Sequence, residues 1–113
     1  METTARRFVV DLGSGDYESA RSVFAPEARE QVSADQLERV WRSLERAAGR
    51  FVRVAATEHG TVDGRDLIGV TVQFRNARQV LNVVFDDGGA VIGFRFAGTP
   101  DGGESWSPPA YAD

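Results

Sequence analysis

Four stretches between residues 51 and 97 alternate in hydropathy and are separated by short turns. They run Phe51–His59, Arg65–Phe74, Ala77–Phe85 and Ala90–Ala97. Period-two alternation is the mark of a strand with one buried face. Asp63-Gly64 in the first connection is a hairpin signal, while Arg75-Asn76 and Asp86-Asp87-Gly88-Gly89 close the second and third. Connections this short join neighbours antiparallel, so the pattern predicts a four-stranded meander.

Strand parity sorts these residues into two faces. One set is wholly apolar: Val52, Val54, Ala56; Ile68, Val70, Val72, Phe74; Leu81, Val83, Phe85; Ile92, Phe94, Phe96. Burying one Leu, Ile or Phe is worth about 1.5–3 kcal/mol, so this face requires a cover. The opposite set is mixed: Arg53, Ala55, Thr57; Leu67, Gly69, Thr71, Gln73; Val80, Asn82, Val84; Val91, Gly93, Arg95. It suits either water or a second copy paired about a two-fold axis.

The cover comes from the first half of the chain. Ala5, Phe8, Val9 and Leu12 recur at helical spacing from Thr3 or Thr4, and Gly13 and Gly15 supply a stop. Asp16 is placed to cap a second, short helix carrying Tyr17, Ala20 and Phe24 on one face, interrupted by Pro26. Ser33 and Gln36 fit a capping box ahead of a third helix. Its stripe is Leu37, Val40, Trp41, Leu44, Ala47 and Ala48, and Gly49 sits just past its end. Asp35–Arg39 and Glu38–Arg42 are acid-first i,i+4 pairs on the same helix. The predicted fold is α+β, with three N-terminal helices packed on a curved four-stranded antiparallel meander. Residues 1–97 form one domain. Residues 98–113, rich in Gly, Pro and Ser, read as a C-terminal tail or linker.

Composition removes several kinds of chemistry. There is no Cys and one His among 113 residues, which excludes thiolate sites and His-clustered zinc or iron sites. All 13 basic residues are Arg, so Lys-based covalent catalysis and a Lys-containing phosphate loop are absent. A net charge of −4 opposes nucleic acid as main partner. No apolar run matches a secretory h-region or a membrane span, which reads as a cytoplasmic protein without membrane contact. Gly13-Ser14-Gly15 lacks nucleophile-elbow spacing, and helices before strands oppose a dinucleotide-binding fingerprint. No cofactor or metal is expected.

His59 is the one imidazole. It reads either as a general base or as a solvated strand-end residue. Adjacent Asp86 and Asp87 read as turn residues before they read as a cation site. The predicted inner face of the sheet carries no titratable side chain, unless a bulge slips the parity and turns Gln73, Asn82 or Arg95 inward. Trp41 and Tyr17 are each either a core anchor or a pocket wall with one polar handle.

The order of helices and strands, with Gly15-Asp16-Tyr17, Ala20, Phe24, Leu37, Trp41, Leu44, Gly49 and Phe51, resembles the nuclear-transport-factor-2-like (SnoaL-like) cone fold. More narrowly, it resembles a bacterial domain of unknown function often found ahead of an α/β-hydrolase domain. Trp106-Ser107-Pro108-Pro109-Ala110-Tyr111 is similar to that family's exit segment. The resemblance implies a conical cavity between helices and sheet and homodimers formed through the sheet face. It implies no catalytic residues. Ketosteroid isomerase and polyketide cyclases share only the architecture.

The first expectation is a binding module for a small hydrophobic molecule, accessory to an enzyme or pathway. Its contacts would be Tyr17, Phe24, Trp41, Phe74, Phe85, Phe94 and Trp106, with Asn82 and Arg95 as polar anchors. A cofactor-independent cyclase or isomerase is the enzymatic alternative, relying on orientation and excluded water. A dimerisation or docking domain with a solid core is the third.

Overall fold

The computed structural model describes residues 1–96. Helices α1 (Glu2–Ser14), α2 (Tyr17–Arg21), α3 (Pro26–Arg29) and α4 (Ala34–Ala48) precede strands β1 (Phe51–Val62), β2 (Arg65–Phe74), β3 (Arg78–Phe85) and β4 (Val91–Phe96). The strands form one antiparallel sheet in the order β1-β2-β3-β4, and the helices cover one face of it. This is the expected α+β architecture. The expected boundary at residues 97 and 98, and Trp106, lie outside the described residues.

Local chemistry sets the helix ends. Gly15 adopts φ 81°, and its N–H bonds to the Asp11 and Leu12 carbonyls, so α1 runs through Gly13 and ends at Ser14, one residue past the expected end near Gly13. The Ser19 N–H donates to Asp16 Oδ1 at 3.2 Å, which starts α2. Ser33 and Gln36 bond reciprocally: Gln36 N–H to Ser33 Oγ at 3.1 Å, and Ser33 N–H to Gln36 Oε1 at 2.8 Å. Of the two i,i+4 pairs, Glu38–Arg42 closes, at 2.6 Å. Pro26 does more than interrupt. Its fixed φ and missing N–H suit a first helical position, and it opens the one-turn α3 that the sequence reading lacked.

The core lies between helices and sheet and holds two aromatic clusters. Phe8, Phe24 and Phe94 meet edge to face at centroid distances of 5.3 to 6.2 Å. Trp41, Phe51 and Phe74 meet at 5.4 to 6.5 Å. Such contacts add about 0.5–1.5 kcal/mol per pair beyond the area buried. Ile68, Val70, Val72, Leu81, Val83 and Phe85 fill the sheet side of this core, as their parity predicts.

Three register shifts overturn that parity elsewhere. On β1 the register slips between Phe51 and Arg53 and again between Val54 and Ala56. Val52, expected inside, is 52% exposed, and Ala56 sits opposite Thr71 on the open face. Beyond the slip, Thr57 and His59 pair with Val70 and Ile68 on the helix face. On β4, Phe85 pairs with Val91 while Val84 pairs with Gly93. Val91 is therefore fully buried and Ile92, expected inside, is only half-buried. A bulge inserts one residue, and every later side chain then changes face.

The two sheet edges differ. Val91 on β4 forms a parallel bridge with Phe24: the Ala25 N–H donates to the Val91 carbonyl at 2.8 Å and the Val91 N–H to the Val23 carbonyl at 2.9 Å. Strand β1 has no such cover along its outer edge among the described residues.

Candidate functional site

Three adjacent cross-strand rows build the middle of the open face. Ala56, Thr71 and Val80 form one row; Glu58, Gly69, Asn82 and Arg95 the next; Gly60, Leu67, Val84 and Gly93 the third. Gly69 lies at the middle of the middle row and has no side chain to contribute. The result is a trough of about 420 Å³, lined by residues of β1, β2 and β3 that include Glu58, Leu67, Gly69, Thr71, Val80 and Asn82. A Cβ on Gly69 would meet Asn82 Oδ1 at 3.2 Å and Val80 Cγ1 at 3.6 Å. Glycine inside a strand costs about 0.5–1 kcal/mol and marks a place where something approaches the backbone closely.

The trough combines apolar walls with a few polar groups. Leu67 and Val80 are half-buried, as are Thr71 and Asn82, and Glu58 is exposed. Its volume falls in the range of small-molecule pockets, about 300–1,000 Å³. The available chemistry is recognition: amide, hydroxyl and carboxylate groups and the His59 imidazole around an apolar floor.

A second concavity, of about 430 Å³, lies at the start of α1 and is lined by Met1, Glu2, Thr3, His59, Asp66 and Ile68. His59 Nε2 and Asp66 Oδ1 are 3.0 Å apart, and both side chains are substantially open to water at 55% and 38% exposure. The expectation that the inner face carries no titratable group fails here, because the β1 bulge brings His59 round to the face that holds Asp66. The register slip at the Ala55-Ala56 pair was the available clue; no sequence motif marks it. A carboxylate that fixes an imidazole's orientation is one half of an acid–base device. No cluster of three or more His, Asp or Glu side chains suited to a metal occurs among the described residues.

The ligand contacts expected from the sequence are distributed otherwise. Phe24, Trp41, Phe74, Phe85 and Phe94 are at most 1% exposed, and all but Phe85 pack ring against ring. Tyr17 is half-buried against the core, and Trp106 lies outside the described residues. The Trp41 indole Nε1 is buried without an acceptor among the described residues. Asn82 and Arg95 face each other across β3 and β4 on the open face, and Asn82 lines the trough. Among the described residues, Asp11 is the titratable group whose pKa is shifted. Burial pushes its carboxyl pKa up, Arg7 opposes this and Asp16 adds to it, and Asp11 Oδ2 has no hydrogen-bond partner among the described residues.

No helix among the described residues is long and apolar enough to cross a membrane. No curated protein and no solved structure matches the chain. A family model described as a protein of unknown function (DUF3887) matches residues 5–94, from the first turns of α1 into β4. With that match spanning both helical layer and sheet, the chain belongs to the DUF3887 family.

Proposed function

We propose that this domain is a binding module for a small apolar or aromatic molecule, held in the trough across the open face of the sheet. The observation that carries the reading is the bare backbone of Gly69 on the open face, flanked by Leu67 and Thr71 on its own strand and by Val80 and Asn82 on the next. A flat ligand lying over Gly69 would bury its body between Leu67 and Val80 and bond to the Asn82 amide and the Thr71 hydroxyl. Such a ligand needs no opening of the core, whose rings already pack against one another. The order of helices then meander supports kinship with the nuclear-transport-factor-2-like cone fold, and service to a neighbouring enzyme, such as an α/β-hydrolase, fits a module of this size.

The test fills the trough. Gly69→Val suits a strand position, and the Asn82 amide can shift the few tenths of an ångström that the new Cβ requires. Native mass spectrometry of the freshly purified protein, followed by thermal shift across indole-, phenol- and naphthalene-sized compounds, reads occupancy. The expected result is a bound mass or a ligand-induced Tm rise in the wild type, lost in a folded Gly69→Val protein. Equal binding by both proteins refutes the trough as the site.

Homodimerisation through the same open face is the second reading, favoured by Leu67 and Val80, apolar side chains that remain partly exposed there. Face-to-face pairing would cover the trough. It therefore predicts that ligand and dimer compete in one titration.

A further inference from the structure

The second register shift on β1 gives residues 53–58 a symmetry that alternation alone lacks. Arg53 pairs with Gln73, Ala56 with Thr71 and Glu58 with Gly69, all on the open face. Val54 pairs with Val72 and Thr57 with Val70, both on the helix face. From residue 53 to 58 the faces run open, helix, then the bulged Ala55-Ala56 pair, then helix, open. This order is the same in both directions.

A strand that meets its own copy antiparallel must oppose residues from the same face. In a strictly alternating strand, Arg53 and Glu58 would lie on opposite faces and could never be opposed. The bulge puts them on one face, equidistant from the point between Ala55 and Ala56. These two carry opposite charges, both are exposed, and only small alanine side chains lie at the centre. The outer edge of β1 is unpaired among the described residues beyond Phe51, whose N–H donates to Glu45 Oε2 at 3.0 Å.

We propose that β1 pairs edge to edge with β1 of a second copy of this chain, about a two-fold axis between Ala55 and Ala56. Arg53 then faces the partner's Glu58, and Glu58 faces the partner's Arg53. The two sheets become one continuous sheet, and its open face keeps both troughs accessible. Because Glu58 lines the trough, the partner's Arg53 becomes its outer wall. The pairing itself does not depend on the ligand reading, since its readout is mass alone.

Sedimentation velocity over a concentration series tests it, with circular dichroism to verify that each variant is folded. Wild type is expected to be a dimer. Arg53→Glu and Glu58→Arg each create two like-charge oppositions by symmetry, and each is expected to weaken the dimer about tenfold or more. Mixing the two variants restores opposite charges at both contacts. The carboxylate introduced at position 53 of one chain meets the guanidinium introduced at position 58 of the other. The unaltered Glu58 of the first chain meets the unaltered Arg53 of the second. The mixture should therefore recover wild-type affinity as a heterodimer. Three results overturn the proposal: a wild type that stays monomeric at millimolar concentration, a dimer indifferent to both swaps, or a mixture that fails to recover.

Discussion

Gly13 offers a direct test of how closely α1 lies against the sheet. Glycine within a helix normally gives up about 0.5–1 kcal/mol relative to alanine, so propensity alone says that Gly13→Ala stabilises. The structure says the reverse. A Cβ at this position would lie 2.3 Å from Phe51 Cδ2, 2.6 Å from Cε2 and 2.7 Å from Cγ. Normal carbon contacts are about 3.5–4.0 Å, so the helix or the ring must move by about 1 Å. The ring cannot retreat easily, because its centroid is 5.9 Å from that of Trp41 and 6.5 Å from that of Phe74. Overpacking of this kind costs about 1–3 kcal/mol. After the propensity gain, a net loss of up to about 2.5 kcal/mol remains, and at about 1 kcal/mol it lowers Tm by about 4–8 °C. Urea denaturation with an unchanged m-value measures it. In a Phe51→Ala background the clash is gone, and the same substitution should become stabilising. Stabilisation by Gly13→Ala in the wild-type background, or a double-mutant coupling below about 0.5 kcal/mol, refutes the close approach.

Two further predictions concern the bulge on β4 and the carboxylate of α1. Val91→Ala should cost about 2 kcal/mol and Ile92→Ala less than about 1 kcal/mol, although isoleucine is the larger residue, because Val91 is fully buried and Ile92 is not; equal costs in chemical denaturation would restore strict alternation. Asp11 has its pKa raised by folding, so the folded state holds the proton more tightly than the unfolded chain and loses stability as pH rises through the carboxyl's titration. Asp11→Asn should therefore raise Tm at neutral pH, with the gain shrinking as pH falls below the carboxylate range. A gain that grows toward acid pH would contradict the sign.

The parts of the fold that depend on local patterns were legible in the sequence. The Ser33–Gln36 box, the Asp16 cap and the inward Ile68, Val70 and Val72 need only neighbours in the chain to be understood. The bulges were not legible, because a bulge is a choice of register between strands and alternation alone cannot place it. Two slips on β1 did this: the first moved Val52 out, and the second brought His59 to Asp66 and set Glu58 opposite Gly69. The candidate site was half visible for the same reason. Gly69, Thr71, Val80 and Asn82 were assigned to the mixed face, but the wall that β1 supplies depends on the slip. Pro26 taught a smaller lesson. The same missing N–H that ends a helix from behind begins one in front.

The bridge between Phe24 and Val91 ties the order of synthesis to the completion of the fold. Residues 23–25 leave the ribosome early, yet the Val23 carbonyl and the Ala25 N–H find their partner only in the last strand of the sheet. The Phe24 ring likewise waits for Phe94. The helical half of the nascent chain therefore holds an unfinished joint until β4 emerges. The last strand is thus what closes the joint that the second and third helices leave open.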